Sequence, residues 1–296
     1  MENQAMADTA LKIRGLTKSF PDFTLGPLDL SVPTGAIYGF IGPNGAGKTT
    51  TIDLVMGMGA KSGGAIEVFG LDHAKDEVAV KRQVGYVSPD LFFNAWGRVN
   101  RLIGFYRSFY PDWDDAYCVE LLERLKIGWK DKIATLSFGA RTKLGLVLAL
   151  SHRPALLLLD EPFAGLDAVS KQEVLTELLD AVQDESRTVF VSSHNLDDIE
   201  RITDHLGIIH DGKLLLEGPT AALIERYRMA DYTATNGATP RELEGVRVQK
   251  QDGERWRILL DTQTGAANAL EARGLQEVST SPVTLEELFV ALVKEG

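Results

Sequence analysis

From Leu11 to about Gly70, apolar residues come in short bursts separated by turns: "LKIRGL", "FTLGPLDLSV", "AIYGFIG" and "GGAIEVFG". Their β-branched and aromatic content, bounded by Gly and Pro, predicts strands. One helix, from Lys48 to about Met58, interrupts them. From about 90 to 153 the period changes. Aromatic residues cluster around "YPDWDDAY", and "CVELLERLKIG" and "RTKLGLVLALSH" place apolar residues at helical spacing, which predicts a helical insert. Strand, helix and strand return in "ALLLLDE", "SKQEVLTELLDAVQD" and "RTVFVSSH", the alternation of parallel strands with crossover helices.

After about residue 225 the pattern turns polar and loop-like at "YTATNGATP". It resumes in a hairpin, "VRVQKQDGERWRILL", turning at Asp252-Gly253. Thr284 and Glu287 have the spacing of a capping box ahead of Leu288 and Leu292. The expected organisation is an α/β domain over 1–225, with its helical subdomain at about 90–153, and a small α+β accessory domain over 226–296.

Composition narrows the function. The 296 residues carry a net charge of −11, which repels nucleic acid and anionic membrane. The single cysteine, Cys118, excludes an internal disulfide, and the N-terminal residues lack the basic, then apolar, pattern of a signal peptide. A cytoplasmic location is expected. The most apolar stretches, near 144–150 and 155–159, fall far short of the ~20 residues needed to cross a bilayer. Any membrane role is expected to run through a partner.

Two motifs carry chemistry. "GPNGAGKTT", Gly42–Thr50, follows the strand over 36–41 and opens a helix. Its glycines let backbone N–H groups turn inward around phosphate oxygens, with the helix dipole behind them. Asn44, Gly45, Gly47 and Thr50 are expected to donate to the phosphates, Lys48 to reach the β- and γ-phosphates, and Thr49 to offer its hydroxyl to Mg²⁺. The second motif is the acid pair ending "LLLLDE". Asp160 is expected to hold Mg²⁺ and Glu161 to polarise an attacking water as general base.

The order of phosphate loop, helical insert, "LSFGA", acid pair, "AGLD" and "SSH" resembles the nucleotide-binding subunit of ATP-binding-cassette (ABC) transporters over about residues 10 to 225. The resemblance implies a P-loop NTPase core with an antiparallel β subdomain and the helical insert. "SFYPDWDDAYCVELLERLKI" is similar to the bacterial branch that pairs with separate ABC-2-type permeases, which implies an exporter. It further implies ATP and Mg²⁺ as ligands and a homodimer or heterodimer that sandwiches nucleotide. The membrane is then reached only through the permease, and nucleic acid is not a partner. The alternative is a regulatory or non-transport member of the family with weak hydrolysis.

Residue by residue, Phe20 stands where the family has the aromatic that stacks on adenine, and His194 matches the histidine that contacts the γ-phosphate. Asp167 lies in the loop that crosses between subunits. Ser137 and Gly139 match the loop that opens a helix toward the partner's nucleotide. There Phe138 replaces a glycine and Ala140 a glutamine; the loop is expected to work as a variant if the Phe138 side chain points away from the nucleotide, the alternative being a degenerate, inactive loop. The glutamine usual around Pro89 is also missing, leaving Asp90, Ser88 or a water to take its place. The aromatics Phe92, Phe93, Trp96, Phe105, Tyr106, Phe109 and Tyr110 are expected to form a groove for the permease or to pack the insert's own core.

Overall fold

The computed structural model describes residues 8–89, 93–185, 187–234 and 237–293. Asp90 and Phe92 lie outside them. Contacts divide the chain into two compact units, Met1–Leu214 and Leu215–Gly296.

The first unit opens with β1 (Thr9–Ser19) and β2 (Thr24–Pro33), paired antiparallel, and then β3 (Ile37–Ile41). In β2, Leu25, Leu28, Leu30 and Val32 are buried, so the strand keeps one dry face. After the phosphate loop come α1 (Lys48–Val55), which ends three residues earlier than expected, β4 (Gly63–Val68) and β5 (Leu71–Asp72). These strands complete a four-stranded antiparallel sheet of order β2-β1-β4-β5. Next are α2 (Glu77–Gln83) and β6 (Val84–Val87), then the helical segment with α3 (Val99–Arg107), α4 (Asp115–Arg124) and α5 (Phe138–Leu150). Asp114 caps α4, accepting from the Tyr117 N–H at 2.9 Å.

The chain returns to the core as β7 (Leu156–Asp160), α6 (Ala168–Glu185), β8 (Thr188–Ser193) and β9 (His205–His210), and leaves on β10 (Lys213–Pro219). The second sheet runs β10-β9-β3-β8-β7-β6, and β3, β8, β7, β9 and β6 pair in parallel. Every residue of β3, β7 and β8 is buried, which is why β3, Leu156–Leu159 of β7 and Val189–Val191 of β8 read as apolar runs. Tyr38 of β3 stacks on Phe190 of β8 with centroids 5.3 Å apart, and Phe40 packs against the same ring. One core joins this sheet to the antiparallel one through Leu11, Leu28, Ile52, Leu158 and Phe190.

Parallel strands place their carboxyl ends at one edge, and here that edge gathers the chemistry. The phosphate loop leaves β3, the acid pair ends β7, and His194 follows β8. The Gly42 N–H donates to Ser193 O at 3.3 Å and ties the first of these segments to the third.

The second unit comprises α7 (Thr220–Arg226), β11 (Tyr227–Ala234), β12 (Val246–Asp252), β13 (Arg255–Asp261), α8 (Ala266–Ala272), β14 (Leu275–Pro282) and α9 (Leu285–Val293). Its antiparallel sheet has the order β12-β13-β11-β14, and β12 and β13 form the expected hairpin. The expectation of a loop at "YTATNGATP" fails at its start. Tyr232–Ala234 belong to β11, and Tyr232 is wholly buried beside Trp256 and Ile258. Tertiary packing overrode the polar look of that stretch. At α9 the capping box is formed in both directions, Thr284 N–H to Glu287 Oε2 and Glu287 N–H to Thr284 Oγ1, each 3.1 Å.

Asp261 anchors this unit. Its carboxylate accepts from Arg226 Nε at 2.9 Å, Arg226 Nη2 at 2.6 Å and the Gln263 N–H at 3.0 Å. The Arg226 bonds hold its carboxyl below the usual range. A depressed carboxyl stabilises above the unfolded value of about 4, and that contribution fades as pH falls through the folded value. Asp261→Asn is therefore expected to lower stability by about 1–2 kcal/mol at pH 7. Urea midpoints of the full chain should show the gap between variant and parent closing as the pH is taken below about 4. An equal gap at both pH values would assign the loss to packing instead of charge.

Candidate functional site

The Gly42–Lys48 loop wraps the N-terminus of α1. Gly47 caps the helix at φ 109°, a left-handed backbone, and a Cβ there would stand 2.5 Å from Leu25 Cδ1. Only glycine meets both conditions. The first-turn N–H groups of α1 are thereby left facing a cavity of about 430 Å³. Its walls include Asn44, Gly45, Gly47, Lys48, Thr49 and Thr50 of the loop, Phe20 on one side and Glu161 on the other.

Lys48 is buried, and its ammonium donates to Gly42 O at 2.7 Å and Pro43 O at 3.2 Å. It also stands 3.1 Å from Glu161 Oε1. That carboxylate oxygen is buried and, the ion pair aside, has no hydrogen-bond partner among the described residues. The other oxygen, Oε2, faces His194 Nδ1 at 2.8 Å. Glu161 sits at φ 48°, an unusual backbone for a residue with a side chain, and such strain concentrates where geometry serves function.

Asp160 is buried at the end of β7, and both of its oxygens are engaged. Thr49 Oγ1 donates to Oδ2 at 2.8 Å and Ser192 Oγ donates to Oδ1 at 2.7 Å. Burial pushes its carboxyl above the ordinary range, opposed by those two hydroxyl bonds. A carboxylate kept dry beside a hydroxyl is an all-oxygen donor pair, which suits a hard divalent cation.

Sequence reading passed over two residues. Ser192, the first serine of "SSH", donates to Asp160 and accepts the Glu161 N–H at 3.0 Å, so it orients both acids. Its signal was its place one residue inside the end of β8. Phe23 lines the cavity beside Phe20, their ring centroids 6.1 Å apart. Phe20 is 41% exposed, with Lys18 Nζ 5.1 Å from its centroid.

Ser137 and Gly139 lie elsewhere, at the start of α5. Ser137 caps that helix, its Oγ accepting the Ala140 N–H at 3.1 Å. Asp167 caps α6, accepting from the Val169 N–H at 3.0 Å and from the Ser170 N–H and Oγ at 2.9 Å each. Ser88 and Pro89 line a separate cavity of about 150 Å³ with Phe93 and Phe138.

The expected aromatic groove divides. Phe93 is buried, and Tyr110 stacks on His152 with centroids 3.9 Å apart, so these two pack the insert. Phe105 and Phe109 are exposed, their centroids 4.8 Å apart, and Trp96 lies 4.0 Å from Phe105.

Comparison with known proteins accounts for this arrangement. Residues 25–164 match the family model described as ABC transporter. The bacitracin transport ATP-binding protein BcrA of Bacillus licheniformis is 36% identical over 230 residues, 74% of this chain and 73% of its own. The Nod factor export ATP-binding protein I of Burkholderia orbicola (strain AU 1054) is 32% identical over 97% of this chain and 98% of its own. The solved structure of an ATP-binding subunit of an ABC transporter superposes with a TM-score of 0.66 at 24% identity, covering 73% of this chain and 92% of that one, which supports the fold. With a phosphate loop, an acid pair and relatives matched over most of their length, the chain belongs to the ABC transporter family as one of its ATP-binding, ATP-hydrolysing proteins.

Proposed function

We propose that the chain is the ATPase subunit of an exporter, and that it works at the cytoplasmic face of the cell membrane with a separate permease of the ABC-2 type. The observation that carries the chemistry is the Glu161 carboxylate, held between Lys48 and His194 at the wall of the phosphate cavity.

In this reading the loop N–H groups and Lys48 take the β- and γ-phosphates, while the face of Phe20 takes the adenine. A γ-phosphate competes with Glu161 Oε1 for the Lys48 ammonium. Glu161 keeps its Oε2 contact with His194, and its released oxygen accepts a proton from the attacking water. Thr49 and Asp160 are the residues that would hold Mg²⁺. Bound there, Mg²⁺ neutralises charge developing on the phosphate oxygens. Ser192 keeps both acids oriented throughout.

Ser137 and Gly139 bring the start of α5 to the nucleotide of a second subunit, in a homodimer or heterodimer that closes around ATP. Among the described residues no helix is long and apolar enough to cross a membrane, which fits a membrane path supplied by the permease. The exposed Phe105 and Phe109, with half-buried Trp96 beside them, offer an apolar docking face for it. Relatives named for bacitracin transport and for Nod factor export support the export reading.

A sandwich makes the reaction second order in protein at low concentration. Hydrolysis per chain should therefore rise with concentration of the purified protein and level off as dimers saturate. Ser137→Ala should push that rise to higher concentration. A rate per chain independent of dilution in a protein that sedimentation with ATP shows to be monomeric over the same range would rule out the sandwich.

A further inference from the structure

Phe138 occupies the first helical position of α5, directly after the Ser137 cap, and is 45% exposed. Core burial does not explain it, but Gly165 lies close to its ring. Gly165 has φ +67°, and a Cβ built there would lie 3.3 Å from Phe138 Cε1 and 3.5 Å from Cδ1. A side chain at 165 would thus press directly on the ring. The next residue abuts the same segment, since a Cβ on Gly139 would stand 3.3 Å from both Leu166 Cδ2 and Ser170 Oγ. On its other flank Phe138 lines the small cavity with Ser88, Pro89 and Thr142.

The segment from 161 to 171 transmits position. The Ala164 N–H donates to Glu161 O at 3.1 Å, the Leu166 N–H to Phe163 O at 3.3 Å and the Lys171 N–H to Asp167 O at 2.9 Å. Asp167 fixes the far end by capping α6. The near end is Glu161, with its strained backbone. A displacement at Gly165 has one short, hydrogen-bonded turn to cross before it reaches Glu161.

We propose that Phe138 is a positioning residue: its ring, seated on Gly165, ties the start of α5 to the turn that aims Glu161. The departure from glycine in "LSFGA" is then a working contact, formed within one subunit. This rests on the reading of Glu161 as the base. No phosphate-loop residue takes part, so the contact bears on turnover and leaves nucleotide binding alone.

The test uses the purified full chain and four variants: Phe138→Ala, Phe138→Tyr, Gly165→Ala and the Phe138→Ala/Gly165→Ala pair. For each, kcat and KM for ATP, the Kd for ADP, and amide hydrogen exchange over residues 161–167 are measured. Phe138→Ala should lower kcat roughly three- to tenfold, the scale of a modestly misplaced group, and leave the ADP Kd within about twofold. Exchange at Ala164 and Leu166 should quicken. Phe138→Tyr, which keeps the ring, should restore both. Gly165→Ala presses on the ring from the opposite side and also strains a backbone at φ +67°, so it should lose at least as much, and the pair should lose less than the product of the two single losses.

Unchanged exchange over 161–167 in Phe138→Ala overturns the proposal, whether or not the isolated chain turns over fast enough for kinetics. So does a double variant whose two kcat losses multiply. Failure of the underlying reading is separable: Glu161→Gln at the parent rate would discard Glu161 as base while the exchange result stood on its own.

Discussion

Glu161→Gln is expected to cut ATP hydrolysis by roughly 10²- to 10⁴-fold, the scale of a lost general base, while leaving nucleotide binding intact. The two effects separate because the carboxylate makes two different contacts. Through Oε2 it meets His194, and an amide oxygen can keep that contact. Through Oε1 it pairs with Lys48, whose ammonium retains the carbonyls of Gly42 and Pro43 when the charge at 161 is removed. A neutral residue at 161 also stops competing with the γ-phosphate for Lys48. ATP should therefore bind the variant at least as tightly as the parent, and an ATP-bound dimer should accumulate. Size-exclusion chromatography with and without ATP, beside a phosphate-release assay, reads both outcomes. A variant that hydrolyses ATP at the parent rate would remove Glu161 from the chemistry.

Parts of the molecule made by local pattern were legible in the sequence. Strands β3, β7 and β8 are buried along their whole length, and the apolar runs inside them are how such strands read. The phosphate loop and the Thr284–Glu287 box are short motifs with one physical solution each. What escaped depends on distant partners. Tyr232–Ala234 look polar until β13 and β14 flank them in the sheet. Ser192 differs from any strand serine only because Asp160 ends the neighbouring strand, in register with it. The contact of Phe138 with Gly165 joins a helix start to a turn on a different element, and no periodicity announces it. The condition that Phe138 is tolerable if it points away from nucleotide therefore says nothing of what its ring touches instead.

Lys48→Ala is expected to act earlier, at binding. Its ammonium is buried, close to a carboxylate and bonded to two loop carbonyls, so three neighbours lose a partner together. Glu161 Oε1 is then left buried with no cation, and Gly42 and Pro43 no longer share a donor to hold the loop's curvature. A charge-assisted hydrogen bond contributes about 1.5–3 kcal/mol, and each 1.4 kcal/mol is a factor of ten in affinity. ATP should bind roughly 10- to 100-fold more weakly by calorimetry, with hydrolysis falling at least as far. ADP has no γ-phosphate, so its affinity should fall less than that of ATP if Lys48 reaches the γ-phosphate. Equal losses for the two nucleotides would place the lysine on the β-phosphate alone. A hydrolysis rate insensitive to Lys48 would put the reaction outside this cavity, because Glu161 and the phosphate loop meet at this ammonium.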